Sequence, residues 1–146
     1  MKKTTLLSMA VISLGCYHVS TNVSLMDPSW HLPHTCPAAV KLYMTPERVQ
    51  TEYREVALLN STGRTLDTSE GDMIKSMREK AAKVGANGII LNSIDEPKAA
   101  TKVAAEATNV LTGYKTDLSP ERKGHALAIY VAADSANARA TCAQAK

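Results

Sequence analysis

An excess of charge of either sign is missing from this sequence, in which 17 Lys and Arg stand against 14 Asp and Glu. Aromatics make up 4% of the residues and phenylalanine is absent. No basic patch is interleaved with stacking rings, so a nucleic-acid footprint is lacking. Catalytic signatures are lacking as well: there is no Gly-x-Ser-x-Gly elbow, no Ser-x-x-Lys with its supporting motifs and no His-Glu-x-x-His helix. The glycines of Gly85-Ala86-Asn87-Gly88 follow a helical period, whereas a phosphate cradle needs them before one. Glu70 and Asp72 already occupy the positive end of that helix and would repel a phosphate. No apolar run reaches the roughly 20 residues of a membrane-spanning helix.

What is present begins at the amino terminus. Lys2 and Lys3 precede a short apolar run over residues 6–14, which ends in Gly15-Cys16. This start resembles a bacterial lipoprotein precursor. The resemblance implies that residues 1–15 are a removable signal and that the thiol of Cys16 carries the lipid, with a palmitate-type acyl chain. Tyr17 follows rather than Asp, which implies sorting to the outer membrane, facing the periplasm. Ser13-Leu14-Gly15 leaves open an ordinary secretory cleavage and a protein released into the periplasm. Two of the 17 basic residues lie in the signal, so the remaining 131 residues carry 15 basic and 14 acidic groups, a net of +1. They fit one domain with a single core.

An envelope location gives the remaining two cysteines a meaning. Cys36 and Cys142 are predicted to pair, because the compartment is oxidising; the alternative is two free thiols on the two ends of the domain. Residues 16–37 show no period of 2 or 3.6 and contain Pro28, Pro33 and Pro37. They read as a lipid-anchored flexible tether with a reach of roughly 25 Å, and the folded domain is expected over residues 38–146.

Within it the fold class is α/β, with α+β as the neighbouring possibility: a mixed sheet of about four strands, one βαβ unit, and two or three helices. Residues 38–44 alternate as a strand, with Val40 and Leu42 on one face and Lys41 and Tyr43 on the other. Residues 52–60 form a second strand. Ser69 begins a helix with Asp72 in capping-box position, and Ile74, Met77, Ala81 and Val84 make its apolar stripe. Gly85 stops the helix and residues 88–93 return as a strand, giving a strand-helix-strand unit with a parallel pair. Ala100, Val103, Ala104, Ala107 and Leu111 suggest a further helix, residues 114–124 a polar loop, and residues 125–133 an interior strand. Ser135 is placed to cap a final Ala-rich helix that carries Cys142.

The segment over residues 75–90, and in particular Ala82, Gly85, Ala86 and Asn87, resembles the helix, Gly-Ala-Asn turn and strand of several small bacterial envelope domains. These are the Rcs-pathway outer-membrane stress-sensor lipoproteins, uncharacterised lipoproteins and a family described as heavy-metal-binding. The resemblance implies an α/β envelope fold and a sensing role. From the residues alone, Gly85 supplies a positive φ, Ala86 permits close packing, and Asn87-Gly88 makes the turn, with no ligand required.

Candidate sites are few. His31, His34 and Cys36, with His18 upstream, bring metal-ligand types close together; solvated histidines are the simpler account, and no cofactor is expected. His125 reads as a hydrogen-bonded residue at a strand's start. A Cys36–His125 nucleophile pair requires a free thiol, and Asp95-Glu96 reads as a solvated turn. The loop with Tyr114, Lys115, Arg122 and Lys123 is where an unrecognised enzymatic site would be sought. The expected function is a non-enzymatic binding or stress-sensing module, held to the membrane by its lipid and facing an envelope protein partner. The alternatives are a periplasmic metal-binding module using His31, His34 and Cys36, and an enzyme.

Overall fold

A computed structural model describes residues 19–65, 67–97, 107, 110–111 and 120–145. The signal over residues 1–15, Cys16, Tyr17 and His18 lie outside the described residues. So does most of the helical period over 100–111, of which Ala107, Val110 and Leu111 are described and exposed. Among the described residues the chain forms one α/β domain built on a five-stranded mixed sheet, one strand more than the sequence suggests.

In chain order the elements are β1 (Ser20–Leu25), β2 (Lys41–Tyr43), β3 (Arg54–Arg64), α1 (Glu70–Lys83), β4 (Gly88–Asp95), β5 (Glu121–Tyr130) and α2 (Ser135–Gln144). The sheet order is β1-β3-β5-β4-β2. β5 lies at its centre, antiparallel to both β3 and β4, and β2 runs parallel to β4 at one edge. The strand-helix-strand unit β3-α1-β4 is thus present, but its two strands are not neighbours. The parallel pair expected between them is replaced by β5 inserted between the two, and the parallel contact is β2 with β4. Register explains the choice: on the α1 side β5 presents Gly124, Ala126 and Ala128, whose small side chains let α1 close over the middle of the sheet. A Cβ on Gly124 would meet Met77 Cε at 2.8 Å and Met73 Cε at 3.1 Å.

α1 forms where its signals predict. Ser69 Oγ accepts from the Asp72 N–H at 3.2 Å, and Asp72 Oδ2 accepts from the Ser69 N–H at 2.9 Å, completing the capping box. Bonds from the Ser69 side chain and backbone hold the Asp72 carboxyl below its ordinary pKa. Because the folded value is the lower one, this support is full above the ordinary carboxylate range and fades as pH falls through the folded pKa. Ser69→Ala should lower stability by about 1 kcal/mol in urea unfolding, and the deficit should shrink at acid pH. An unchanged deficit at acid pH would separate the cap from Asp72.

The face of α1 that carries Met73, Met77, Ala81 and Ala82 is buried on the sheet, against Ala57, Leu59, Ile89, Ala126 and Ala128. A smaller cluster of Ile90, Ile129 and Val131 lies apart from it, with Tyr43, Val49 and Tyr53 packed against it. The first strand of the chain corrects the expected tether. Ser20–Leu25 pairs along its whole length with β3, from Ser20 opposite Thr62 to Leu25 opposite Ala57, and Trp30 and Leu32 then pack on the core. The alternation was hidden because the inward residue Thr21 is polar. Its hydroxyl is buried between Ser61 Oγ at 3.1 Å and Ser76 Oγ at 2.7 Å. The strand expected over residues 38–44 is shortened to Lys41–Tyr43, since Pro37 starts a 3-10 turn over Pro37–Ala39. α2 begins at Ser135, but the residue before it, Asp134, stands at the cap position and makes no side-chain cap bond. Asp134 instead accepts from Lys41 Nζ at 2.8 Å, and that bond raises the Lys41 pKa.

Candidate functional site

Three features singled out in the sequence meet at the end of the sheet where β5 stops: the Gly-Ala-Asn turn, the cysteine pair and His34. The turn is a structural bracket. Asn87 is 3% exposed, and its Nδ2 donates to the Val131 carbonyl at 2.8 Å while its Oδ1 accepts from the Val131 N–H at 2.7 Å. Its backbone N–H donates to Ile129 O and its carbonyl accepts from the Lys41 N–H. The side chain imitates one more rung of sheet, tying the exit of β5 to the entry of β4. Gly85 has φ +80°, and a Cβ there would stand 2.3 Å from Leu32 Cβ and 2.9 Å from Pro33 O. The 32–35 segment therefore lies directly on the turn, where the Thr35 N–H donates to Ala82 O at 3.0 Å.

Cys36 and Cys142 form a disulfide, with Cα atoms 5.5 Å apart across 106 residues of sequence. The bridge holds α2 against the 3-10 turn that follows Cys36. Between the 33–36 segment and α2 runs a groove in two adjoining lobes. One, of about 300 Å³, is lined by Asn87, Tyr130 and Ala138; the other, of about 430 Å³, by Cys36, Cys142 and Ala143. His34, Thr35 and Arg139 border both lobes. Most of the lining surface is apolar, and the exposed side chains of His34 and Arg139 stand at its border.

The cysteine that lines the groove is not a free thiol. Cys36 is oxidised, and His125, its hypothetical base, lies in the middle of β5 with Nδ1 2.7 Å from Asn60 Oδ1. The free thiol that a Cys36–His125 pair would require is thus absent, and His125 is a mid-strand residue rather than the start of a strand. The metal set does not assemble either. The Cys36 sulfur is committed to the bridge, His31 is exposed and donates from Nδ1 to the Ser29 carbonyl at 3.0 Å, and His34 stands at the groove. Among the described residues no three His, Cys, Asp or Glu side chains converge to hold a metal ion.

The polar loop expected over residues 114–124 is in part a strand. Tyr114 and Lys115 lie outside the described residues, but β5 begins at Glu121, so Arg122 and Lys123 point to opposite faces of the sheet. Arg122 is 8% exposed; Nη1 donates to Thr68 O at 2.9 Å, and Nη2 is bound by Glu96. Asp95 and Glu96 are thus not a matched carboxylate pair, since the second belongs to this bracket. The signal for it was the alternation of Arg122, Gly124, Ala126 and Ala128, which starts before the apolar run.

No family model and no curated protein matches the chain. Among solved structures, a Francisella virulence factor, FvfA, crystallised in an orthorhombic form, is similar to it with a TM-score of 0.50 and 18% sequence identity. The match covers 76% of this chain and 97% of that one. At that identity the likeness concerns the fold alone.

Proposed function

We propose that this protein is a non-enzymatic binding or stress-sensing module of the cell envelope, anchored through a lipid on Cys16 to the outer membrane and facing the periplasm. The observation that carries the binding role is the groove between the 33–36 segment and α2. It combines a mostly apolar surface with His34 and Arg139 at its border, and is stapled in shape by the Cys36–Cys142 bridge. Preformed concave surfaces with few polar groups are where partners dock. A bridge that closes a long loop keeps such a surface rigid in an oxidising compartment. The sequence of the first 16 residues supports the address, and the fold is of a kind that hosts many activities.

The test is site-specific photocrosslinking in intact cells. A photoreactive residue at Arg139 or Ala143 is expected to give a discrete adduct with an envelope protein, and the yield should change under envelope stress. The same probe at Asn92, on β4 away from the groove, should give none. Equal yields at the two places, or no adduct at any groove position, would sink the binding role.

A further inference from the structure

We propose that β1 is the membrane-facing edge of the domain, resting on the lipid headgroups at both of its ends; this rests on the lipidation of Cys16 proposed above. The first contact follows from chain length. Four residue steps separate Cys16 from Ser20, where pairing with β3 begins, and even fully extended they span at most ~14 Å. The domain therefore cannot stand off from the bilayer as a tether of twenty residues would allow.

The second contact is at the other end of the strand. Leu25 and Met26 are 43% and 49% exposed, and they lie about 17 to 20 Å along the strand from Ser20. One attachment point would leave the domain free to pivot. Two points on one strand lay that strand along the interface. The strand's composition fits this use, because β1 is an edge of the sheet and no charged residue occurs from Ser20 to Met26. Exposed edges are ordinarily guarded by lysine, proline or bulges; Ser20–Leu25 has no lysine or proline, and among the described residues no strand pairs with its outer side. A headgroup layer can hydrogen-bond its outward backbone groups and take up the two apolar side chains. Trp30, the single tryptophan, lies just beyond, with the Arg54 guanidinium 3.6 Å from its ring centroid; aromatic and cationic groups of this kind suit the interface. The groove, lined by Tyr130 and Asn87, is separated from β1 by β3 and lies toward the end of the sheet where Leu25 and Met26 sit.

The experiment uses the full lipidated protein in vesicles of phosphatidylethanolamine and phosphatidylglycerol. Trp30 emission should be quenched about twofold when the lipids carry bromine near the headgroup, as for a ring at headgroup level. Leu25→Glu/Met26→Glu should lose most of that quenching while still floating with the vesicles. Failure of the wild type to float would overturn the lipidation itself. Flotation without quenching would overturn the orientation and leave the anchor intact. Crosslinking of Asn22→Cys to a second copy in the vesicles would also overturn it, by assigning the edge to strand pairing between two domains.

Discussion

Asn87→Leu is expected to lower the stability of the domain by about 1 to 3 kcal/mol, the cost of leaving one buried backbone N–H without a partner. The side chain bonds both the N–H and the carbonyl of Val131, itself 1% exposed; the carbonyl also accepts from the Asp134 N–H at 3.1 Å, so the N–H is the group that an apolar side chain leaves unpaired. Leucine has nearly the same size, so the change removes hydrogen bonding rather than volume. It also breaks the tie between the end of β5 and the start of β4, on which Tyr130 and one wall of the groove depend. Urea unfolding followed by circular dichroism measures it. A midpoint within error of the parent would mean that Val131 finds water in the variant and that the bracket is dispensable.

The second large effect is expected from Cys36→Ser/Cys142→Ser. The bridge closes a loop of 106 residues, for which the chain-entropy model gives about 5 kcal/mol as an upper bound, and native disulfides commonly contribute about 2 to 5 kcal/mol. The loss should fall unevenly. α2 buries one side chain, Ala138, among its ten residues, so little apart from the bridge holds it to the body. α1, by contrast, has four buried side chains and a complete capping box. Hydrogen exchange should show the amides of α2 opening well before those of β5 in the variant. If α2 stays as protected as in the oxidised protein, the helix is held by its own packing and the groove does not need the bridge. Addition of a reductant to the native protein should reproduce the variant.

These expectations divide along the line between local and non-local information. α1 was legible from its sequence because its signals are local: a Ser and an Asp three residues apart, a stripe at three and four, lysines in the last turn and Gly85 after it. β5 was legible as an interior strand for the same reason, since an apolar run with small alternating residues belongs in the middle of a sheet. The disulfide was legible from compartment chemistry and the count of cysteines. β1 was not, because Thr21 is buried by bonds to Ser61 and Ser76, partners 40 and 55 residues away. A polar residue that becomes a core residue only through such partners breaks the hydrophobic alternation on which strand recognition rests. Arg122 was misplaced in a loop for the same reason: its acceptors, Thr68 O and Glu96, belong to other parts of the chain.

The groove shows the limit most clearly. His34, Asn87, Tyr130 and Arg139 are spread over more than a hundred residues, and no spacing among them marks a site. Asn87 could be read as a turn residue, but its role as a bracket depends on Val131, which is 44 residues away in sequence and arrives at the end of the neighbouring strand β5. By itself, the sequence determined the helix that covers the sheet, the pairing of its cysteines and the absence of familiar catalytic motifs, because each rests on neighbouring residues or on counting. Only the tertiary structure decided that β5 separates β3 from β4, that Ser20–Leu25 within the expected tether is an edge strand, and that α2 and the 33–36 segment border a groove. Strand order and groove formation depend on contacts whose free energy exists only after distant segments have met, and no local pattern records them.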